Sequence, residues 1–320
     1  MKLQTITQPL TTQTPTQPEP DATRRQFLRT FTKEEQIDWG GSIAFFGVHL
    51  IGIFAWVTGV SWAAVGMCLF MYYFRMFAIT GIYHRYFSHR SYKTSRFFQF
   101  VMAFWGTSCG QQGPLWWAAH HRHHHKYSDT EQDIHSPGLR GFWWAHWGWV
   151  ICKRYAATNE DAVKDLTKYP ELKFVNKYHG LAPFILATGI FFFGSFLQHA
   201  APELHTNGLQ MLSWGFFTST TLLYHGTFTI NSLAHVLGKK RFETGDQSKN
   251  SLILSLITMG EGWHNNHHKF PYAESQGIYW WEIDMSHYVL TVFSWFGLVW
   301  DLQKHPKELI EGKAGNRIAA

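Results

Sequence analysis

Four apolar windows, residues 41–60, 62–83, 181–199 and 209–230, constrain this 320-residue chain more than any other feature. Each approaches the roughly 20 residues that a helix needs to cross a hydrocarbon core. They fall into two pairs joined by short connectors, so the sequence predicts an all-α integral membrane protein of four transmembrane helices in two hairpins. The connectors near 57–63 and 200–208 carry no Lys or Arg, whereas the tail, the middle segment and the C-terminal segment carry all the others except Arg75. Basic residues stay on the cytoplasmic side, so both termini and the middle segment are assigned there, with a cytoplasmic helical cap. Arg75 lies inside the second window, where a charge must face protein or the interface. The apolar stretches 97–107 and 288–300 are shorter or broken and are placed on the membrane surface or against the core.

Aromatic residues make up 18% of the chain, which suits a protein meeting a bilayer interface. A mean hydropathy of -0.19 argues for a large polar part as well. Residues 1–37, rich in Thr, Gln and Pro, read as a disordered cytoplasmic tail rather than a signal sequence. Residues 38–304 form the membrane domain and 305–320 a C-terminal tail. Three unpaired-looking cysteines give neither a disulfide framework nor a thiolate metal site. The net charge of +6 is dispersed and accompanies no nucleic-acid motif, so nucleic acid is excluded as a partner and a lipid bilayer is favoured.

The chain has 20 histidines, and they cluster. His84 and His89 follow the second window. His120, His121, His123, His124 and His125 crowd the middle segment; Asn231 and His235 follow the fourth window; His264, His267 and His268 lie about thirty residues on. Residues three and four apart share a helix face, so His121, His124 and His125 are expected to converge on one point, and His264, His267 and His268 on one point. His120, His123 and His124 would satisfy the middle spacing equally. His84 and His89 stand roughly 140° apart on an α-helix, so they require an irregular turn or serve different metals. A lone histidine is ordinarily a surface or core residue, and His49, His120, His123, His135, His146, His179, His199, His205, His225, His287 and His305 are left in that class. Clusters of neutral imidazoles suit Zn, Cu, Fe or Ni, and nine ligands exceed one ion's needs, so two metals are expected. Asp129, Asp133 and Glu261 are candidates to hydrogen-bond the far nitrogens of ligand histidines. Lys153-Arg154 and Lys239-Lys240-Arg241 are candidate contacts for lipid head groups.

The motifs His-Arg-x-x-x-His at 84, Trp-x-x-x-His-Arg-x-His-His at 117, Asn-Ser-x-Ala-His at 231 and Gly-Glu-Gly-Trp-His-Asn-x-His-His at 260 resemble those of the membrane fatty-acid desaturases, of the stearoyl-CoA Δ9 type. The resemblance runs from the first window to Trp281-Glu-Ile-Asp284. It implies two iron ions held by His84, His89, His121, His124, His125, His235, His264, His267 and His268, with Asn231 acting through a water, and it selects His121 over His120. It also implies an acyl-chain tunnel bent by Gln111, Trp117 and Thr227 and closed near Tyr72 and Met76, the longer Met76 side chain shortening it. Ala119-His120 departs from the mammalian residues that contribute to coenzyme A binding, so acyl-CoA, acyl-lipid and acyl-carrier-protein substrates all stay open.

The implied activity is an O2-dependent oxidoreductase that puts a cis double bond into a saturated acyl chain. Its electrons come from a separate donor of the ferredoxin or cytochrome b5 type, because the chain has no haem or iron–sulfur cysteine motif. A membrane di-iron hydroxylase or alkyl monooxygenase is the rival reading, and a metal transporter a more distant one, since transport sites lie near the bilayer midplane. The short tails and the lack of a visible retention signal favour a bacterial inner membrane over the endoplasmic reticulum.

Overall fold

The computed structural model describes residues 35–310 and is mostly helical. Asp38 opens helix α1 (Trp39–Ile53) by accepting from the Gly41 amide at 3.1 Å, taking up one of the N–H groups that a first turn leaves unpaired. A 3-10 turn at Ala55–Thr58 and Gly59, at φ +84°, reverse the chain. Ser61 caps helix α2 (Trp62–Phe77), and its hydroxyl also donates to Gln210 Oε1 at 2.6 Å, tying the turn of the first hairpin to the second. Helix α2 continues without a break as a π-helix, Ala78–Ser88. Two short helices follow, α3 (Arg96–Thr107) and α4 (Pro114–Tyr127). The second hairpin is α5 (Leu181–Ala200) and a composite helix made of Gly208–Met211, a π-segment at Leu212–Thr218 and α6 (Ser219–Ser232).

Trp62–Ser88 and Leu181–Ala200 are long and apolar enough to cross a membrane, and α1 is apolar but shorter. The 41–60 window is therefore not one helix. The α-helical part ends at Ile53, and the remainder makes the turn. The π-segment interrupts the 209–230 window where Ser219 and Thr220 turn their hydroxyls back onto the carbonyls of Gly215 and Phe216 at 2.6 and 2.5 Å, side-chain bonds that compete with the regular ladder. Those same hydroxyls face Arg75. Its guanidinium donates to Thr220 Oγ1 at 2.7 Å and Ser219 Oγ at 2.6 Å, lies 5.4 Å from the Phe216 ring centroid and is fully buried. The charge inside the second window thus faces protein.

Beside isolated single-residue bridges, the described residues outside the long helices form one two-residue antiparallel ladder, between β1 (Lys93–Thr94) and β2 (Val299–Trp300). Asn176 caps α4 from a distance, its Oδ1 accepting from the Leu115 and Trp116 amides at 3.1 and 3.0 Å. A short helix α7 (His264–Lys269) and helix α8 (Met285–Trp295), capped by Asp284, complete the cap. The main core lies where the π-helix meets α3 and α4, around Ile82, Tyr83, Phe87, Met102, Leu115 and Ala118.

Residues 1–34 and 311–320, most of the two expected tails, lie outside the described residues. The parts that are described pack onto the cap. Ile37 bridges to Cys152, Glu35 pairs with Arg140, and His305 is buried against Phe270 ahead of a short helix at Lys307–Ile310. An ion pair and a backbone bridge hold the first stretch and the buried His305–Phe270 contact the second, although composition alone assigned both to the tails.

Candidate metal centre

A π-helix closes i→i+5 hydrogen bonds, and the chain makes one where the metal chemistry needs it: the His89 amide donates to the His84 carbonyl at 3.2 Å. That winding brings two histidines five apart onto one face, with ring centroids 4.8 Å apart. Of the two arrangements open from the spacing, the irregular turn is the one present. Arg122, in the middle motif, fastens this end of the π-helix. It donates to the carbonyls of Phe87 and Ser88, both at 2.9 Å, while forming a two-bond pair with Asp165.

The structure gathers nine histidines into two groups. His84, His89, His121, His125 and His267 form one, and His124, His235, His264 and His268 the other; within each, the ligand nitrogens lie within 4.8 Å of one another. The expectation that each three-histidine motif converges on one point is corrected here. Only the i, i+4 pair of a motif stays together, as in His121 with His125 and His264 with His268, whose rings are 4.5 and 4.4 Å apart. The remaining member crosses over, His124 to the four-histidine group and His267 to the five-histidine group. The i+3 position lies on the other flank of a short helix, and α4 and α7 face each other, so each helix serves both groups.

The nitrogens have the chemistry of a cation site. Nε2 atoms meet head to head, His89 with His121 at 2.8 Å, His125 with His267 at 2.9 Å, His84 with His267 at 3.0 Å and His235 with His264 at 3.1 Å. Burial first, then the neighbouring imidazoles, holds His89, His121, His125, His264 and His267 well below the ordinary histidine range, so they stand neutral. The Nδ1 atoms of His84, His124, His235 and His268 sit 2.6, 3.0, 2.8 and 2.7 Å from Glu261, Asp133, Asp129 and Asp246. A proton at Nδ1 serves each carboxylate and turns a lone pair at Nε2 into the site. The Nε2 atoms of His124 and His268 are buried with no partner. Buried imidazole nitrogens that converge on one another, two of them without a partner, are what a borderline metal ion fills.

The carboxylates are themselves anchored. Glu261 meets Arg85, which is buried among Glu261, Glu274 and Asp284. Gly260 carries φ +120°, and a Cβ there would collide with Asp284, so this position requires glycine. Burial works to raise Asp129, but hydrogen bonds led by His235 hold it at about 2. Asp246, which the sequence reading did not single out, arrives on the loop after Arg241. Asn265 holds that loop by accepting from the Arg241 and Phe242 amides at 2.7 and 2.6 Å. Arg241 pairs with Glu282 and Asn266, so that part of the basic run is structural. His135, left among the ordinary histidines, stacks on His124 at 4.3 Å and joins His124 and Asp133 in a third possible ligand set. The Asp-x-His spacing at 133–135 was its available signal.

A cavity of about 470 Å³ leads to the histidines, and a smaller inner chamber of about 40 Å³ continues it. Trp117, His121, Thr227 and Asn231 line both. At the junction Gln111 Nε2 donates to Thr227 Oγ1 at 2.9 Å, and Trp117 stacks on His121 at 5.0 Å. Met76 lines the inner chamber; Tyr72 stands near it, its hydroxyl donating to the Ile257 carbonyl at 2.8 Å.

Two apolar helices of spanning length, together with buried histidine groups able to hold metal ions, are features expected of a membrane metalloprotein. Sequence comparison makes the assignment specific. The fatty acid desaturase family profile matches residues 60–297, and the chain belongs to that family. It is 32% identical to the sn-1 stearoyl-lipid 9-desaturase of Anabaena variabilis over 286 residues, 88% of this chain and 99% of that protein. It is 33% identical to the acyl-CoA C20 Δ5-desaturase of Anemone leveillei, covering 83% of this chain and 82% of that one. Identity to Δ9 acyl-lipid desaturase 1 of Arabidopsis thaliana is also 33%, over 86% of each chain.

Proposed function

We propose that the protein introduces a cis double bond, at carbon 9, into a saturated fatty-acyl chain, with two iron ions held by the nine histidines and Asn231 contributing through a water. The observation that carries the reading is the joint between cavity and metal centre, where Trp117, His121, Thr227 and Asn231 belong to both chambers. When bound, the irons supply the O2-derived oxidising power that an unactivated C–H bond demands, acid–base chemistry being too weak. In the overall reaction two hydrogens from adjacent carbons, two external electrons and two protons convert O2 to two waters. The electrons come from a separate donor of ferredoxin or cytochrome b5 type.

This chain's own residues do the positioning. The Gln111–Thr227 bond and the Trp117 ring narrow the passage beside His121, bending the chain so that one pair of methylenes faces the histidines. Met76 and Tyr72 close the far end, so the number of carbons beyond the bend sets the bond position and the length accepted. Apolar walls exclude water from the reacting carbons. Relatives named as 9-desaturases favour carbon 9, although one named as a Δ5-desaturase aligns equally well. The one-sided distribution of Lys and Arg supports four spans in two hairpins with the cap and both termini cytoplasmic, and the burial of Arg75 against Ser219 and Thr220 makes its charge compatible with the second span.

The deciding experiment is the fatty-acid profile, with double-bond positions, of a desaturase-deficient host expressing this chain or its His124→Ala variant. A new cis-9 monoene that disappears in the variant is the expected outcome. Hydroxylated chains would move the protein to the monooxygenase class, and an unchanged profile in membranes holding iron-loaded protein and a competent donor would remove the reading.

A further inference from the structure

The larger cavity has an identifiable entrance. Of the residues that line it, Gly41, Ala44, Gly180 and Phe184 are exposed and the rest are buried or half-buried. Those four lie at the starts of two helices, α1 and α5, so the mouth is a slot between them. Both helices turn apolar side chains outward around it: Trp39 is 67% exposed, Ile43 71% and Ile185 51%. A second apolar recess, lined by Phe174, Tyr178, Gly180, Leu181 and Phe184, adjoins the slot and shares two of its residues. Among the described residues no Lys, Arg, Asp or Glu lines either cavity. Lys153 and Lys177 stand just outside, one beside the start of α1, where its amide donates to the Gln36 carbonyl, the other just ahead of α5.

From these observations we propose that the acyl chain enters sideways from the bilayer, through the slot between the first turns of α1 and α5, while still esterified to a glycerolipid. The inference rests on the desaturase reading and supplies the acyl carrier which that reading left open. An apolar slot framed by lipid-facing side chains admits a hydrocarbon tail with little loss of burial. The headgroup then rests at the level of Lys153 and Lys177, where basic residues meet lipid phosphates. Lys153 and Lys177 would meet the phosphates of coenzyme A as readily, so the choice of a glycerolipid rests on the exposed apolar side chains that frame the slot, and the carrier assay decides it. Ala44 and Phe184 are therefore the gate residues. Both are exposed and neither touches a histidine group.

The test uses full-length, metal-loaded protein in phosphatidylcholine vesicles whose stearoyl chain carries a diazirine at its midpoint. Illumination and peptide mass spectrometry locate the chain without turnover. Label is expected in the cavity wall, on the 108–121 and 216–231 segments, and is expected to be lost in Ala44→Trp and in Phe184→Trp while metal content stays at the unmodified level. A parallel assay offers stearoyl groups on phosphatidylcholine or on coenzyme A, and desaturation of the lipid-borne chain, blocked by the same substitutions, is expected. Label absent from the cavity wall, label there that both substitutions leave unchanged, or desaturation confined to the coenzyme A ester would each overturn the lateral entrance. Label in the cavity, blocked by Ala44→Trp, with no desaturation from either carrier would instead count against the desaturase reading and leave the entrance standing.

Discussion

The two histidine groups differ in how they are braced. In the four-histidine group, His124, His235 and His268 each meet a carboxylate at Nδ1, and those carboxylates come from three separate positions, Asp133, Asp129 and Asp246. Among the described residues, only His84 of the five-histidine group does so, through Glu261. The five-histidine group relies on backbone instead, with the π-helix setting His84 and His89 and Arg122 clasping its end. One site is held by charge and hydrogen bonds at a distance of one ring, the other by number of ligands and helix geometry. A carboxylate behind an imidazole raises ligand basicity and fixes the tautomer, so with the proposed metals bound the smaller group would offset its lower ligand count with stronger donors.

That contrast is open to direct attack. The largest difference is expected from ligand deletion: His268→Ala leaves three histidines in its group, whereas His125→Ala leaves four. Metal per chain, read by inductively coupled plasma mass spectrometry, is expected to fall further in His268→Ala, with desaturation lost in both. Equal losses would break the argument from ligand count. Next, Asp133→Asn, Asp129→Asn and Asp246→Asn are each expected to weaken metal binding by about 10–100-fold. Titration with a competing chelator reads this, and the weakening should fall on one of two bound ions, not both. Arg122→Lys removes the two-bond pair with Asp165 and most of the carbonyl contacts, at a cost of about 1.5–3 kcal/mol. Here the five-histidine group is expected to lose metal first, whereas loss from the other group would show that the clasp is not specific to the π-helix. Smallest is Gly260→Ala, which forces a side chain into a left-handed backbone position against Asp284, at about 1–3 kcal/mol. A lowered Tm with both metals retained is expected.

The amount legible from sequence differs between these regions for a physical reason. Helical spacing rightly grouped His264 with His268 and, once the family resemblance had fixed the register, His121 with His125, because i, i+4 neighbours share a face in any α-helix. It wrongly grouped His124 and His267 with them, since the i+3 member faces whichever helix packs alongside. The carboxylates near a motif, Asp129, Asp133 and Glu261, could be proposed from proximity. Asp246 could not, because it reaches His268 only after Asn265 has folded the 241–250 loop back across α7. His135 was passed over as a single residue, and only its stacking on His124 brings it to the centre.

By itself the sequence determined the apolar windows, the count of clustered histidines and the family to which their motifs point, since these depend on composition and short-range spacing. Tertiary structure alone decided how the nine histidines divide, how Arg75 is satisfied by Ser219 and Thr220, and where the cavity opens. Each of those depends on which helix faces come together. The π-helical turn belongs with them: no local propensity announces an i→i+5 winding, and it persists because Arg85, Arg122 and the packed core hold His84 and His89 on a common face.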